Sequence, residues 1–155
     1  MNKFVKIALA SALLAAPLPA FAATGDVQFD AVVNNTCTIA VGPAGVLTTN
    51  VGQTTLSSAN AGGSAGTADI TATSAAYQVS VNAPTAFATA PVNGGTNVTF
   101  AANYASAGAT TLAAGNTARP LSTGVSNITV NMTATKTSGS FPTGTYAAIV
   151  VLRCE

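Results

Sequence analysis

The fold class the sequence predicts is an antiparallel β-sandwich, and three observations predict it. Short stretches alternate apolar and polar residues, as in Tyr77-Gln78-Val79-Ser80-Val81. That period of two sends neighbouring side chains to opposite faces of a strand. Such stretches recur about every ten residues, separated by turn residues, with no helical period between them. The composition completes the case: Thr, Val, Ala and Gly abound, while charged residues make up only 6% and His and Trp are absent. Chains of this make-up are β-rich. Roughly seven or eight short strands fit a sandwich of immunoglobulin-like type.

The chain of 155 residues opens on a leader. Lys3 and Lys6 precede an apolar run from Ile7 to Ala16, Pro17 and Pro19 break it, and Ala20-Phe21-Ala22 supplies a small-x-small cleavage site. This is the pattern of a secretory signal peptide over residues 1–22, too short for a membrane span. The mature chain, Ala23 to Glu155, keeps three cations (Arg119, Lys136, Arg153) against four anions (Asp26, Asp30, Asp69, Glu155). It has no basic patch for nucleic acid and suits one domain. Its surface is too poorly charged for an ordinary soluble monomer and fits a subunit of an assembly better.

Residues 23–36 form an N-terminal extension. Within it Asp26 to Cys37 reads DVQFDAVVNNTC, with Val27, Phe29, Ala31 and Val33 on one face and Gln28 and Asp30 on the other. From Cys37 to Glu155 the sandwich domain follows. Thr38 to Val41, Val46 to Val51 and Thr54 to Ser58 read as short strands; Ala59 to Thr67 reads as a flexible loop. Ala68 to Ser74, Ala76 to Asn82 and Thr96 to Tyr104 read as strands. Ala105 to Asn116 reads as loose chain, and Pro120 confines Ala118 to Leu121 to a sheet edge. Ser126 to Lys136 alternates most strongly. Thr137 to Thr143 reads as a turn. Gly144 to Glu155 (GTYAAIVVLRCE) reads as a long closing strand, apolar on both faces and therefore buried on both.

Cys37 and Cys154 are the only cysteines. In an exported, oxidised chain they are expected to form a disulfide that encloses nearly the whole domain. A metal pair or a catalytic thiol is disfavoured, because no histidine is present as ligand or base. The same absence removes Ser-His-Asp chemistry. The carboxylates are few and scattered, so a general acid/base pair is not expected. Gly62-Gly63 and Gly94-Gly95 match no phosphate loop, and the four Asn-x-Thr triplets read as polar strand faces. No enzyme, cofactor or metal is expected.

The arm VQFDAVVNNTC and the closing GTYAAIVVLRCE together resemble subunits of bacterial chaperone–usher fimbriae. Spore coat protein U-like secreted sandwich domains share these traits. The resemblance implies a sandwich that lacks one strand. Its groove is filled first by a periplasmic chaperone and then, at the outer-membrane usher, by the arm of the next identical or related subunit. Val27, Phe29, Ala31 and Val33 would then be the donor row. Tyr146, Ala148, Val150 and Leu152, which share a face with Cys154, would line the acceptor groove and bind the chaperone. The pilin disulfide, however, joins the first strand to the second, whereas here the second cysteine is next to the C-terminus, so the groove is expected to differ in shape. The glycine often found in the middle of the arm is replaced by Ala31. The expectation is a structural subunit of a surface fimbria, exported through the periplasm and polymerised head-to-tail by donor-strand exchange. The alternative is a complete secreted sandwich acting as a monomeric binding module, with Val27 to Val33 paired in its own sheet.

Overall fold

The computed structural model describes residues 23–155. The chain divides into a leading segment, residues 1–32, and a compact unit, residues 33–155. The signal peptide expected over residues 1–22 lies outside the described residues. Among those described, residues 23–36 carry no strand, and no residue is helical.

Ten strands build the compact unit: β1 (Cys37–Val41), β2 (Thr48–Thr49), β3 (Thr55–Ser57), β4 (Gly66–Ala72), β5 (Gln78–Asn82), β6 (Val98–Gly108), β7 (Leu112–Gly115), β8 (Arg119–Pro120), β9 (Gly124–Lys136) and β10 (Val151–Cys154). All pair antiparallel. The larger sheet is organised by β9. One edge of β9 takes β4 along its first half and β3 along its last turn of pleat. The other edge takes β6 for eleven residues. β1 ends the sheet beyond β4, and β7 ends it beyond β6. The smaller sheet has the order β10-β5-β8.

The alternation of β4, β5 and β9 turns one row of each inward. Ile70, Ala72, Tyr104 and Ile128 from the larger sheet meet Val79 and Val81 from the smaller one, and Leu121 seals one end. A second cluster forms around Leu56, Met132, Ala134 and Phe141. The inward rows of two sheets interdigitating in this way make the core of a sandwich.

Tyr104 ties the two layers together. Its ring is buried, and its hydroxyl lies 3.0 Å from the carbonyl of Val79 and 2.8 Å from that of Thr117, between which it shares its proton. Tyr104→Phe strands both acceptors and is expected to cost about 1–2 kcal/mol in urea unfolding. Burial raises the phenol above its ordinary 10.0, and Arg119 opposes that shift. A raised folded value favours the neutral form, so the contribution is complete below pH 10 and is lost as pH rises beyond it.

Three sequence expectations are corrected. Residues 105–116 are not loose: β6 runs on to Gly108 and turns back as β7. Their side chains are too small to show the period, but Ser106 is buried and donates to the carbonyl of Thr110 at 2.8 Å. The stretch 59–67 is not all loop, since β4 begins at Gly66 and Ser64 bridges Val46. The closing stretch is not buried on both faces. Only Val151–Cys154 is regular strand, and Ile149 and Val151 are 68% and 45% exposed. Among the described residues no layer covers the outer face of the smaller sheet, so only the inward row is buried.

Candidate functional site

Between β1 and the closing stretch the two layers part and leave an apolar groove of about 1220 Å³. This is far more than a packing defect. Ile39, Leu56, Ala68, Val130 and Met132 form its floor. Tyr146, Ala148, Val150 and Leu152 of the closing stretch line its wall, and Val41 and Val46 stand at its mouth. Among the described residues no charged side chain lines it.

Burial marks the groove from the inside. Away from it, Ile70, Val79 and Ile128 are at most 1% exposed. Ile39, Leu47, Val130, Val150 and Leu152 are only half-buried, although they point at the same core. Backbone pairing is incomplete at the same place. Among the described residues β1 pairs only with β4, and β10 pairs only with β5, so each presents a free edge. Before β10 the closing stretch is held by one bridge, Ala147 to Thr89. Two free edges flanking an apolar channel form a template for a further strand.

Both ends of the groove are fixed. At one end Cys37 of β1 and Cys154 of β10 form a disulfide, with Cα atoms 6.3 Å apart. It joins the two sheets at the strands that flank the opening. Thr36, just before it, is held by its backbone N–H donating to Thr73 Oγ1 at 2.7 Å, and Thr73 N–H donates back to the Thr36 carbonyl at 3.0 Å. At the other end Phe87, Phe100, Phe141 and Tyr146 stack edge-to-face, with ring centres 4.9 to 6.1 Å apart. Such pairs add to simple burial. The Tyr146 hydroxyl donates to the Pro142 carbonyl at 2.7 Å, and burial raises its pKa. Lys136 buttresses this end from behind: Nζ donates to the carbonyls of Asn93 and Thr96 at 2.9 and 2.7 Å and lies 5.4 Å from the centre of the Phe141 ring.

Two glycines let this end close. A Cβ on Gly94 would stand 2.9 Å from the Tyr146 ring, and one on Gly144, at φ 155°, would stand 2.9 Å from Pro91. A side chain at either position would displace the start of the closing stretch.

The proposed acceptor row therefore lies along one wall of the groove: Tyr146, Ala148, Val150 and Leu152 are half-buried, and the residues between them are exposed. The proposed donor row lies in the leading part of the chain. Val27, Phe29 and Val33 are 75%, 91% and 89% exposed, and Ala31 is exposed as well. The sequence reading missed the floor of the groove and its aromatic end. Phe141 sits in a stretch read as a turn, and its one signal was a lone aromatic among Ser, Gly and Pro. Among the described residues no three His, Cys, Asp or Glu side chains come together as a metal site.

No family model, curated protein or solved structure matches this chain.

Proposed function

We propose that this protein is a structural, non-enzymatic subunit of a surface fimbria, polymerised by donor-strand exchange through residues 23–36. The observation that carries this reading is the groove: an apolar channel flanked by two free strand edges, in a chain that also has an unpaired arm with a matching apolar row. Topology supports it. On this reading β1-β4-β9-β6 and β10-β5 stand for strands A-B-E-D and F-C of an immunoglobulin-like sandwich, β8 lies on the far edge of β5, and the strand expected on the free edge of β10 is the one the arm supplies. The groove lies where that strand would pair with β10. A strand supplied from outside restores ladder hydrogen bonds and core side chains together. Because arm and groove are different surfaces, the contact is head-to-tail and propagates. A periplasmic chaperone and an outer-membrane usher are the partners that such assembly calls for, and the cell surface is its destination.

The test uses the oxidised mature chain and Phe29→Asp in the same chain, followed by sedimentation. The parent chain is expected to form polymers. Phe29→Asp loses about 1.5–3 kcal/mol of apolar burial and adds an unpaired charge, so assembly should fall by a hundredfold or more. A parent chain that stays monomeric at high concentration overturns the reading.

A further inference from the structure

We infer that the groove receives the arm of a second copy of this chain antiparallel to the closing stretch, in one register set by an Asp26–Arg153 ion pair between copies. The inference rests on the donor-strand reading above and goes beyond it by naming the partner, the direction and the residue that fixes the register.

The arm and the groove wall have the same length and parity. Four apolar residues at every second position, Val27 to Val33, face four half-buried residues at every second position, Tyr146 to Leu152. Period-two pairing allows one antiparallel alignment in which all four are matched: Val27 with Leu152, Phe29 with Val150, Ala31 with Ala148, and Val33 with Tyr146. A slip of two residues either way leaves one donor side chain outside and one part of the wall bare. A slip of one residue turns Gln28 and Asp30 into a channel that has no charged lining.

Direction follows from size and charge. Val150 packs against both core clusters, so it marks the middle of the opening. The antiparallel alignment brings Phe29, the largest donor side chain, to that point and leaves Ala31 beside Ala148. The parallel alignment puts Ala31 at the middle instead. On the outward row the antiparallel alignment sets Asp26 directly across from Arg153, with Gln28 across from Val151 and Asp30 across from Ile149. Directly opposed residues in such a pair lie about 5 Å apart, within reach of an ion pair. The parallel alignment sets Asp26 beside Thr145 and Arg153 beside Asn34. Arg153 is exposed, and its neighbour across β5 is Ser80. Glu155 shares its row two residues on, so the guanidinium is the one cation among these acids. In a chain with five basic residues, two of them in the leader, an opposite charge at the one matched position sets the alignment. It also makes a second copy of this chain the occupant.

The test is cross-linking between copies of the full mature chain, read by non-reducing electrophoresis, with sedimentation of the same samples. Gln28→Cys combined with Val151→Cys is expected to give covalent ladders. Gln28→Cys combined with Ala147→Cys reports the parallel alignment, and with Ile149→Cys the slipped one; neither is expected to link. Ladders from either of these, or polymers without ladders from the first pair, overturn the register but leave donor-strand exchange standing. A parent chain that forms no polymer overturns the donor-strand reading itself. For the ion pair, Asp26→Lys and Arg153→Glu should each slow assembly about fivefold at low salt, less as salt rises. The two together should restore the parent rate. Single variants that assemble at the parent rate, or a double variant no faster than either, remove Asp26–Arg153 from the register.

Discussion

The mature chain with residues 23–33 moved behind Glu155, on a short flexible linker, is expected to be a monomer that melts roughly 15 °C or more above the parent. Four apolar side chains gain cover when the groove is filled. At about 1.5–3 kcal/mol for each buried Val or Phe, and less for Ala31, the gross gain is about 5–10 kcal/mol. A few degrees of melting temperature accompany each kcal/mol in a domain of this size. The linker is itself informative. An arm antiparallel to the closing stretch begins at the disulfide end, where Glu155 already lies, and a turn of two to five residues reaches it. A parallel arm would have to start near Tyr146, nine residues and about 30 Å back at ~3.3 Å per residue. Short linkers should therefore suffice. If the parent is instead a stable monomer that relocation weakens, residues 23–33 belong to their own sheet, and a complete binding module becomes the better description.

What the sequence reveals follows from how each element is buried. β4, β5 and β9 each have one covered face and one wet one, so Ile70, Val79 with Val81, and Ile128 to Ala134 stand out as a period of two. The same rule misreads the closing stretch. Ile149 and Val151 look like core in a run of apolar residues, yet they lie outward on a sheet whose outer face has no cover. β6 and β7 are hidden for the opposite reason: Ala105, Ala107, Ala113 and Ala114 have too little side chain to show a pattern, and the pairing of β6 with β9 and of β7 with β6 decides their conformation. Leu121 and Phe141 are isolated in sequence, so periodicity has nothing to act on, although each is at most 4% exposed. The groove belongs to the same class of missed feature. Its wall is one alternating stretch and can be read locally. Its floor is assembled from β1, β3, β4 and β9, and only the three-dimensional pairing brings these together.

Removing the disulfide, by Cys37→Ala with Cys154→Ala, is expected to cost the mature chain about 4–5 kcal/mol, seen as a large fall in the urea midpoint. The bond closes a loop across 117 residues, and in the chain-entropy model so long a loop contributes near the top of the usual range. Against the about 5–15 kcal/mol that a domain possesses, such a loss leaves little. Its position suggests a second role that the entropy model lacks. The bond joins β1, which among the described residues pairs only with β4, to β10, which pairs only with β5, at one end of the groove. With the groove empty, few other contacts hold these two strands at their spacing. The same double substitution in the arm-relocated chain separates the two roles as a thermodynamic cycle. If the bond acts only by restricting the unfolded chain, it costs the same in both backgrounds. If it also holds apart and aligned two walls that an inserted strand would otherwise bridge, it costs 1 kcal/mol or more less once the strand is in place. We expect the smaller cost, because a strand paired with both walls would supply much of the cross-connection that the bond provides without it. Equal costs would confine the bond to the unfolded state. A midpoint unchanged in the parent would show that the free edges of β1 and β10 are held by other contacts.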